Sequence, residues 1–154
     1  MIQAHYSITE PIQIKQLSIR KLPSEAISYA QLDLANTPSG NSMKIPLMVA
    51  RGRFPGPVFG ITAAVHGNEI NGIPVIHELF KRILVNKLHG TIIAAIVINV
   101  PGFEVSNRLL TEGVDLNHKM PGRKDGNYQD VYAYRIFNKI IRKFDYLVDL
   151  HTAS

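Results

Sequence analysis

The sequence predicts an α/β fold: a mixed sheet with N-terminal antiparallel strands and a central parallel portion flanked by helices. Three observations carry this. Val58–Val65, Thr91–Val100 and Tyr146–Leu150 are near-continuous apolar runs, the pattern of strands buried on both faces. A segment of helical periodicity precedes the second of these runs and another precedes the third. Ahead of them all, the N-terminal third alternates apolar and polar residues in short stretches divided by turn residues.

In chain order, Ile12 and Ile14 and then Leu17 and Ile19 alternate with polar neighbours, and the phase shifts at Lys15–Gln16 as a β-bulge would cause. Ala30, Leu32 and Leu34 alternate in a second strand. The run from Asn36 to Asn41, with its Pro and Gly, is a turn leading into a third strand, Met43–Ala50. This meander is expected to be antiparallel. A first helix is expected from Asn71 to Val85, with Ile73, Ile76, Phe80, Ile83 and Leu84 on its apolar face and Pro74 tolerated in its first turn. His77 falls on that apolar side and reads as a partly buried histidine rather than a ligand. A second helix has Asp130 near its start, with Tyr134, Phe137, Ile140, Ile141 and Phe144 on one face. The stretch Pro101–Gln129 has little periodicity. A long loop after the end of a buried strand is where α/β sheets bind ligands.

Bulk composition narrows the chemistry. A chain of 154 residues fits one domain, and 45% hydrophobic against 19% charged residues is a globular balance. With no cysteine, disulfides and thiolate metal sites are excluded, so any metal must be held by His and carboxylate. The N-terminus lacks a basic stretch followed by an apolar one, and the longest apolar run, Ile92–Val100, is too short to cross a bilayer as a helix. A soluble, cytoplasmic protein without a membrane partner is expected. The net charge of +5 comes from Lys and Arg scattered between Lys15 and Lys143, without a cluster or interleaved aromatics. This reads as a solvated basic surface that attracts small anions, not as a nucleic-acid footprint.

The chemistry concentrates at strand ends. His66-Gly67-Asn68-Glu69 follows the apolar strand directly and precedes the first helix. Imidazole nitrogen and carboxylate oxygen suit zinc, and a catalytic site needs three protein ligands with one position open. The short motif alone is common, and Glu69 otherwise serves only to favour a helix N-terminus. A third ligand should sit at another strand end on the same sheet edge, and His151, closing Val148-Asp149-Leu150-His151, supplies it. Asp149, two residues earlier on the same strand face, is placed to orient a histidine. Between these lie Asn107-Arg108, Asp115-Leu116-Asn117-His118 and Met120-Pro121-Gly122. A loop arginine can stabilise an oxyanion and an asparagine can bind a carboxylate; each can also be a solvated loop residue. His5 and His89 have no partner pattern.

Taken together, His-Gly-Asn-Glu, the Arg followed by Asp-Leu-Asn, the Pro-Gly and the strand ending Asp-Leu-His-Thr resemble the succinylglutamate desuccinylase/aspartoacylase family, a branch of the zinc carboxypeptidase-like fold. The resemblance runs in order from about Val58 to the last residue. It implies one zinc ion at His66, Glu69 and His151, a metal-bound water as nucleophile, and hydrolysis of a small N-acyl amino acid. By the same resemblance Arg108 polarises the scissile carbonyl, and Asn117 contacts the substrate carboxylate. Residues 1–154 would then be the N-terminal part of a catalytic domain.

Two departures qualify what the resemblance implies. His118 stands where the family usually has Arg, so a permanently charged fork becomes a titratable ring and carboxylate recognition weakens or passes to Lys119 or Arg123. The family's general-base glutamate falls beyond Ser154, and Glu78, Glu104 and Glu112 do not match its position. A competent ligand set with little turnover is therefore expected of these residues alone, because losing a general base costs about two to four orders of magnitude. The alternatives are a zinc carboxypeptidase or peptide amidase, and a non-catalytic metal-binding domain of the same fold. Zinc against cobalt or manganese, and a monomer against a homo-oligomer, are left open.

Overall fold

The alternating residues of the N-terminal third do pair as strands, but the pairing is not a simple meander. In the computed structural model, which describes residues 10–36, 40 and 42–152, β2 (Ala26–Asn36) runs antiparallel to β3 (Ser42–Arg51) along its whole length. A register shift falls between Asp33 and Ala35. Most of the Asn36–Asn41 turn and His5 lie outside the described residues. β1 (Ile12–Ile14) pairs with β2 in parallel, Ile12 opposite Ala30, which corrects the antiparallel expectation. A parallel pair needs a crossover, and the chain makes it by leaving the sheet at Lys15 and turning through a 3-10 segment at Ile19–Lys21. The phase shift at Lys15–Gln16 thus marks the end of a strand, not a bulge. Leu17 and Leu22 on either side of that turn are buried.

The three apolar runs yield β4 (Phe54–Ala63), β5 (His89–Ala95) and β6 (Tyr146–Leu150). The six strands form one sheet in the order β1-β2-β3-β5-β4-β6, with β4 parallel to both β5 and β6. The first two runs continue apolar past the strand ends, to Val65 and Val100, because the connections there are buried as deeply as the strands. Ile96, Val97 and Ile98 are all buried, and the backbone is satisfied by Ile98 N–H donating to Ala63 O and Asn99 N–H donating to Ala64 O. The third run departs from expectation in the other direction. β6 is the outer strand, beside β4 alone, and Tyr146, Leu147 and Val148 are 62%, 45% and 43% exposed rather than buried on both faces.

Helices cover the two faces of the sheet. α1 (Gly72–Arg82) buries Ile76 and Phe80 against Met48, Ala50, Ile61, Ala63 and Ala94. It stops earlier than the periodicity suggests. The Ile83 N–H bonds back to Phe80 O, the chain turns extended there, and Leu84 is 60% exposed. His77 is half-buried, as read from its position. After a single turn, α2 (Val100–Glu104), the long loop leads to α3 (Tyr128–Lys139). There Asn127 caps the helix by accepting the Asp130 N–H, and Tyr132, Ala133, Ile136 and Ile140 pack on Leu32, Leu34, Ile45, Leu47, Val49 and Ile93. Neighbouring residues on β3 and β5 point to opposite faces, so Leu47 and Val49 join one core while Met48 and Ala50 join the other. No helix among the described residues is long and apolar enough to cross a membrane.

Candidate metal centre

Because β4 and β6 are parallel neighbours, with Ala63 opposite Leu150, both strands release the chain at the same end of the sheet. His151 follows β6 immediately. His66 follows β4 after a turn in which Ala64 takes a left-handed φ of +50°. Glu69 N–H then donates to His66 O at 3.0 Å, so a tight turn sets the two side chains together. Gly67 is required between them. A Cβ there would lie 2.2 Å from the Gly102 carbonyl carbon and 2.3 Å from the Phe103 nitrogen, because α2 packs directly onto this turn. The Gly67 N–H also donates to Arg108 O, tying the arginine's loop to the motif.

The Glu69 carboxylate is the hub. It is 3% exposed, and its Oε1 lies 2.8 Å from His66 Nδ1 while its Oε2 lies 3.0 Å from His151 Nδ1. Oε2 also accepts the Thr152 N–H at 3.0 Å, and Oε1 accepts from Arg108 Nη1 at 2.6 Å. Burial opposes ionisation of Glu69, but the Thr152 N–H and the two imidazoles outweigh it and hold the carboxyl below its ordinary range. Each histidine turns its other nitrogen to a second carboxylate: His66 Nε2 to Asp115 Oδ1 at 3.2 Å, and His151 Nε2 to Asp149 Oδ2 at 2.7 Å. Asp149 is steadied in turn by the Thr62 hydroxyl at 2.6 Å. For His151, burial disfavours the charged ring, but Asp149 and Glu69 reverse this and its pKa is raised. Asp115 is likewise penalised by burial, yet its carboxyl is lowered by the Asn117 N–H and by His66.

This donor set fits a metal. One atom from each of His66, Glu69 and His151 lies within 4.8 Å of the other two. The inward-facing atoms are two imidazole nitrogens and carboxylate oxygen, the set that zinc takes in catalytic sites. The outward-facing ring nitrogens meet carboxylates, as metal-bound histidines commonly do.

The other sequence candidates are placed around this hub. Arg108 lies against it, with its side chain 42% exposed. Asn117 and His118 sit on an exposed 3-10 turn, Asn117–Lys119. Asn117 lines an apolar cavity of about 190 Å³ together with Thr62, Met120 and Asp149. Lys119 and Arg123, the alternatives to His118 for a substrate carboxylate, both bind Asp130, at 3.2 and 2.9 Å. Glu78 pairs with Lys81 on exposed α1, and Glu112 accepts from Gln129, so neither approaches the hub. Three residues given no role at the site by the sequence hold its frame: Asp115, Asp130 and Asn99. Asn99 is fully buried. Its Oδ1 caps α2 by accepting the Gly102 N–H, and its Nδ2 donates to Arg108 O. An Asn directly before Val-Pro at the end of an apolar run is a cap signal that was available in the sequence.

The same architecture occurs in known proteins. Residues 55–154 match the model of the succinylglutamate desuccinylase/aspartoacylase catalytic domain. The chain belongs to that family. N-alpha-acetyl-L-2,4-diaminobutyric acid deacetylase from Halomonas elongata is 27% identical over 128 residues, which cover 82% of this chain and 37% of the deacetylase. A succinylglutamate desuccinylase/aspartoacylase structure from Rhodobacter sphaeroides superposes with a TM-score of 0.70 at 27% identity, over 84% of this chain and 40% of that one. An aspartoacylase-family structure from Mesorhizobium loti gives 0.73 at 26% identity, over 88% and 42%. The chain therefore spans about two fifths of these desuccinylase/aspartoacylase relatives, and the part it shares carries the strand ends from which His66, Glu69 and His151 project.

Proposed function

We propose that these residues form the metal-binding part of a zinc-dependent hydrolase that cleaves the amide bond of small N-acyl amino acids. The observation that supports this most directly is the paired orientation of the histidines. Both present Nδ1 to Glu69 and both anchor Nε2 on a carboxylate. A cluster selected only for packing has no need of this repeated arrangement. The names of the relatives, a deacetylase and a desuccinylase/aspartoacylase, support the substrate class.

In this reading His66, Glu69 and His151 hold one zinc ion. Asp115 and Asp149 fix the orientation of the two rings and keep a proton on each Nε2, which leaves both Nδ1 lone pairs directed inward. The ion supplies Lewis-acid activation of water and of the amide carbonyl. Arg108, at the rim of the hub, contributes a permanent positive charge where the carbonyl oxygen gains negative charge in the transition state. Asn117 and His118 contact the substrate's carboxylate from the loop. With Lys119 and Arg123 engaged by Asp130, recognition of that carboxylate from the loop rests on Asn117 and His118.

Zinc content and zinc affinity of the purified protein, measured beside His66→Ala and His151→Ala, test the metal assignment. Stoichiometric zinc, lost in both variants, is expected; equal uptake by all three proteins would refute it. Hydrolysis of N-acetyl and N-succinyl amino acids against peptides, by a form spanning the relatives' full length, tests the substrate class.

A further inference from the structure

We propose a second binding site, for a small phosphorylated anion, in a cleft at the far end of the sheet from the triad. The cleft has a volume of about 420 Å³ and is lined by Arg20, Ser24, Arg51, Gly52, Arg53 and Gly90 among others. It lies at the amino ends of β4 and β5, whereas the triad hangs from the carboxyl ends of β4 and β6. The ten residues of β4 separate the two by about 30 Å.

Charge is the first argument. Three arginines line one cleft, and among the described residues neither Arg20 nor Arg51 forms an ion pair. Arg53 has a single distant partner, Glu25, at 4.0 Å. Repulsion between three cations is tolerated more readily where an anion completes the set, and a phosphate monoester carries a charge of about −1.5 to −2 at neutral pH. Orientation is the second argument. Arg51 Nη1 donates to Leu22 O at 2.6 Å, which holds its planar group in place before any ligand arrives. A rigid wall is the third. Gly52 N–H donates to Gly90 O at 2.9 Å, which ties the two cleft-lining glycines together. Gly90 has a φ of +90°, and a Cβ there would lie 2.1 Å from Pro57 O, while a Cβ on Gly52 would lie 2.2 Å from Leu88 O, so this wall is closely packed backbone. At the rim, Arg53 sits 5.8 Å from the centre of the Phe54 ring, which stacks on His89 at 4.7 Å. This gives His89, outside any pattern in the sequence, a place in a ring stack beside the cations. A planar group attached to the phosphate would rest there.

Titration of 15N-labelled protein with inorganic phosphate at low ionic strength, followed at the Gly52 and Gly90 amides, tests the proposal. Saturable shifts are expected at these amides, with affinity falling about tenfold or more in Arg20→Gln/Arg53→Gln, as expected for lost charge-assisted hydrogen bonds. Both side chains are exposed, and Arg20→Gln alone serves if the double variant is unstable. Lys44→Gln/Lys124→Gln removes the same charge at the other end of β3 and in the loop before α3, and should leave the affinity unchanged, as should His66→Ala. Absence of saturation, an equal loss in the lysine variant, or tighter binding of succinate than of phosphate would each overturn the proposal.

Discussion

Glu69 and Asp130 are both buried carboxylates, 3% and 7% exposed at the side chain, and each gathers more than one basic group. Their partners differ in kind. Glu69 faces two imidazoles, which when neutral keep a lone pair that a metal can take. Asp130 faces Lys119 and Arg123, which have only donors to offer. The first cluster can exchange its internal hydrogen bonds for an ion. The second can only stay closed, clasping the 117–123 loop to the first turn of α3. Geometry alone makes the two look alike; the chemistry of the partner atoms separates a binding site from a fastening.

The largest expected effect comes from breaking the first cluster at its hub. Glu69→Ala removes the oxygen ligands and leaves two inward-facing imidazoles. Zinc affinity by calorimetric competition should fall by more than the roughly 10–100-fold typical of residues that only support ligands. Asp115→Asn tests that supporting class. It keeps the side chain's shape and its turn with the Asn117 N–H but removes the charge behind His66, so affinity should drop by about 10–100-fold with the fold intact by circular dichroism. If Asp115→Asn cost as much as Glu69→Ala, the assignment of inward and outward ring nitrogens would be wrong.

Gly67→Ala probes the turn that ties the first cluster to α2 and the Arg108 loop. The added methyl meets backbone of α2 and the Asn107 carbonyl at 2.2–2.6 Å, and backbone cannot rotate away as a side chain would. Destabilisation of about 1–3 kcal/mol is expected from overpacking, read as a lower thermal midpoint. Zinc affinity should fall with it, because the turn that sets His66 beside Glu69 is displaced.

How much of this was legible beforehand follows from the same contrast. The cluster of His66, Glu69 and His151 was visible because each follows an apolar strand, and strand ends sharing a sheet edge converge when the strands are parallel neighbours, as β4 and β6 are. The helices were visible from periodicity, but their ends were not, and on α3 Tyr132, Ala133 and Ile136 are buried where Tyr134 and Phe137 are expected to be. Leu84 extends the apolar pattern of α1, and only the tertiary turn after Arg82 puts it in solvent. The strand boundaries near Val65 and Val100 were overrun because a buried connection is as apolar as a strand. The parallel direction of β1 is not legible in the sequence, since alternation reports which face a residue occupies, not the sense of pairing. Asp130 was read only as a helix-start residue. Its bond to Arg123, seven positions away, depends on how the Gly122 turn folds back onto α3, where a Cβ would lie 2.3 Å from Asp130 O, and no local pattern encodes that.

The smallest expected effect, and the sharpest in form, belongs to the second cluster. Arg123 and Lys119 hold the Asp130 carboxyl below its ordinary range. A carboxyl lowered in the folded state stabilises the fold above its unfolded pKa, about 3.9, and loses that contribution as pH falls through the lower folded value. In Asp130→Asn the thermal midpoint at pH 7 should therefore be modestly reduced. The gap to wild type should hold down to about pH 4 and close below it, where wild-type Asp130 takes up its proton. The effect stays modest because Arg123 is 76% exposed and its charge is screened by solvent and salt. Thermal melts of both proteins from pH 7 to 2 decide the matter. A gap that persists unchanged at the acid end would mean that Asp130 holds the loop by shape and neutral hydrogen bonds, and the contrast with Glu69 would lose its electrostatic basis.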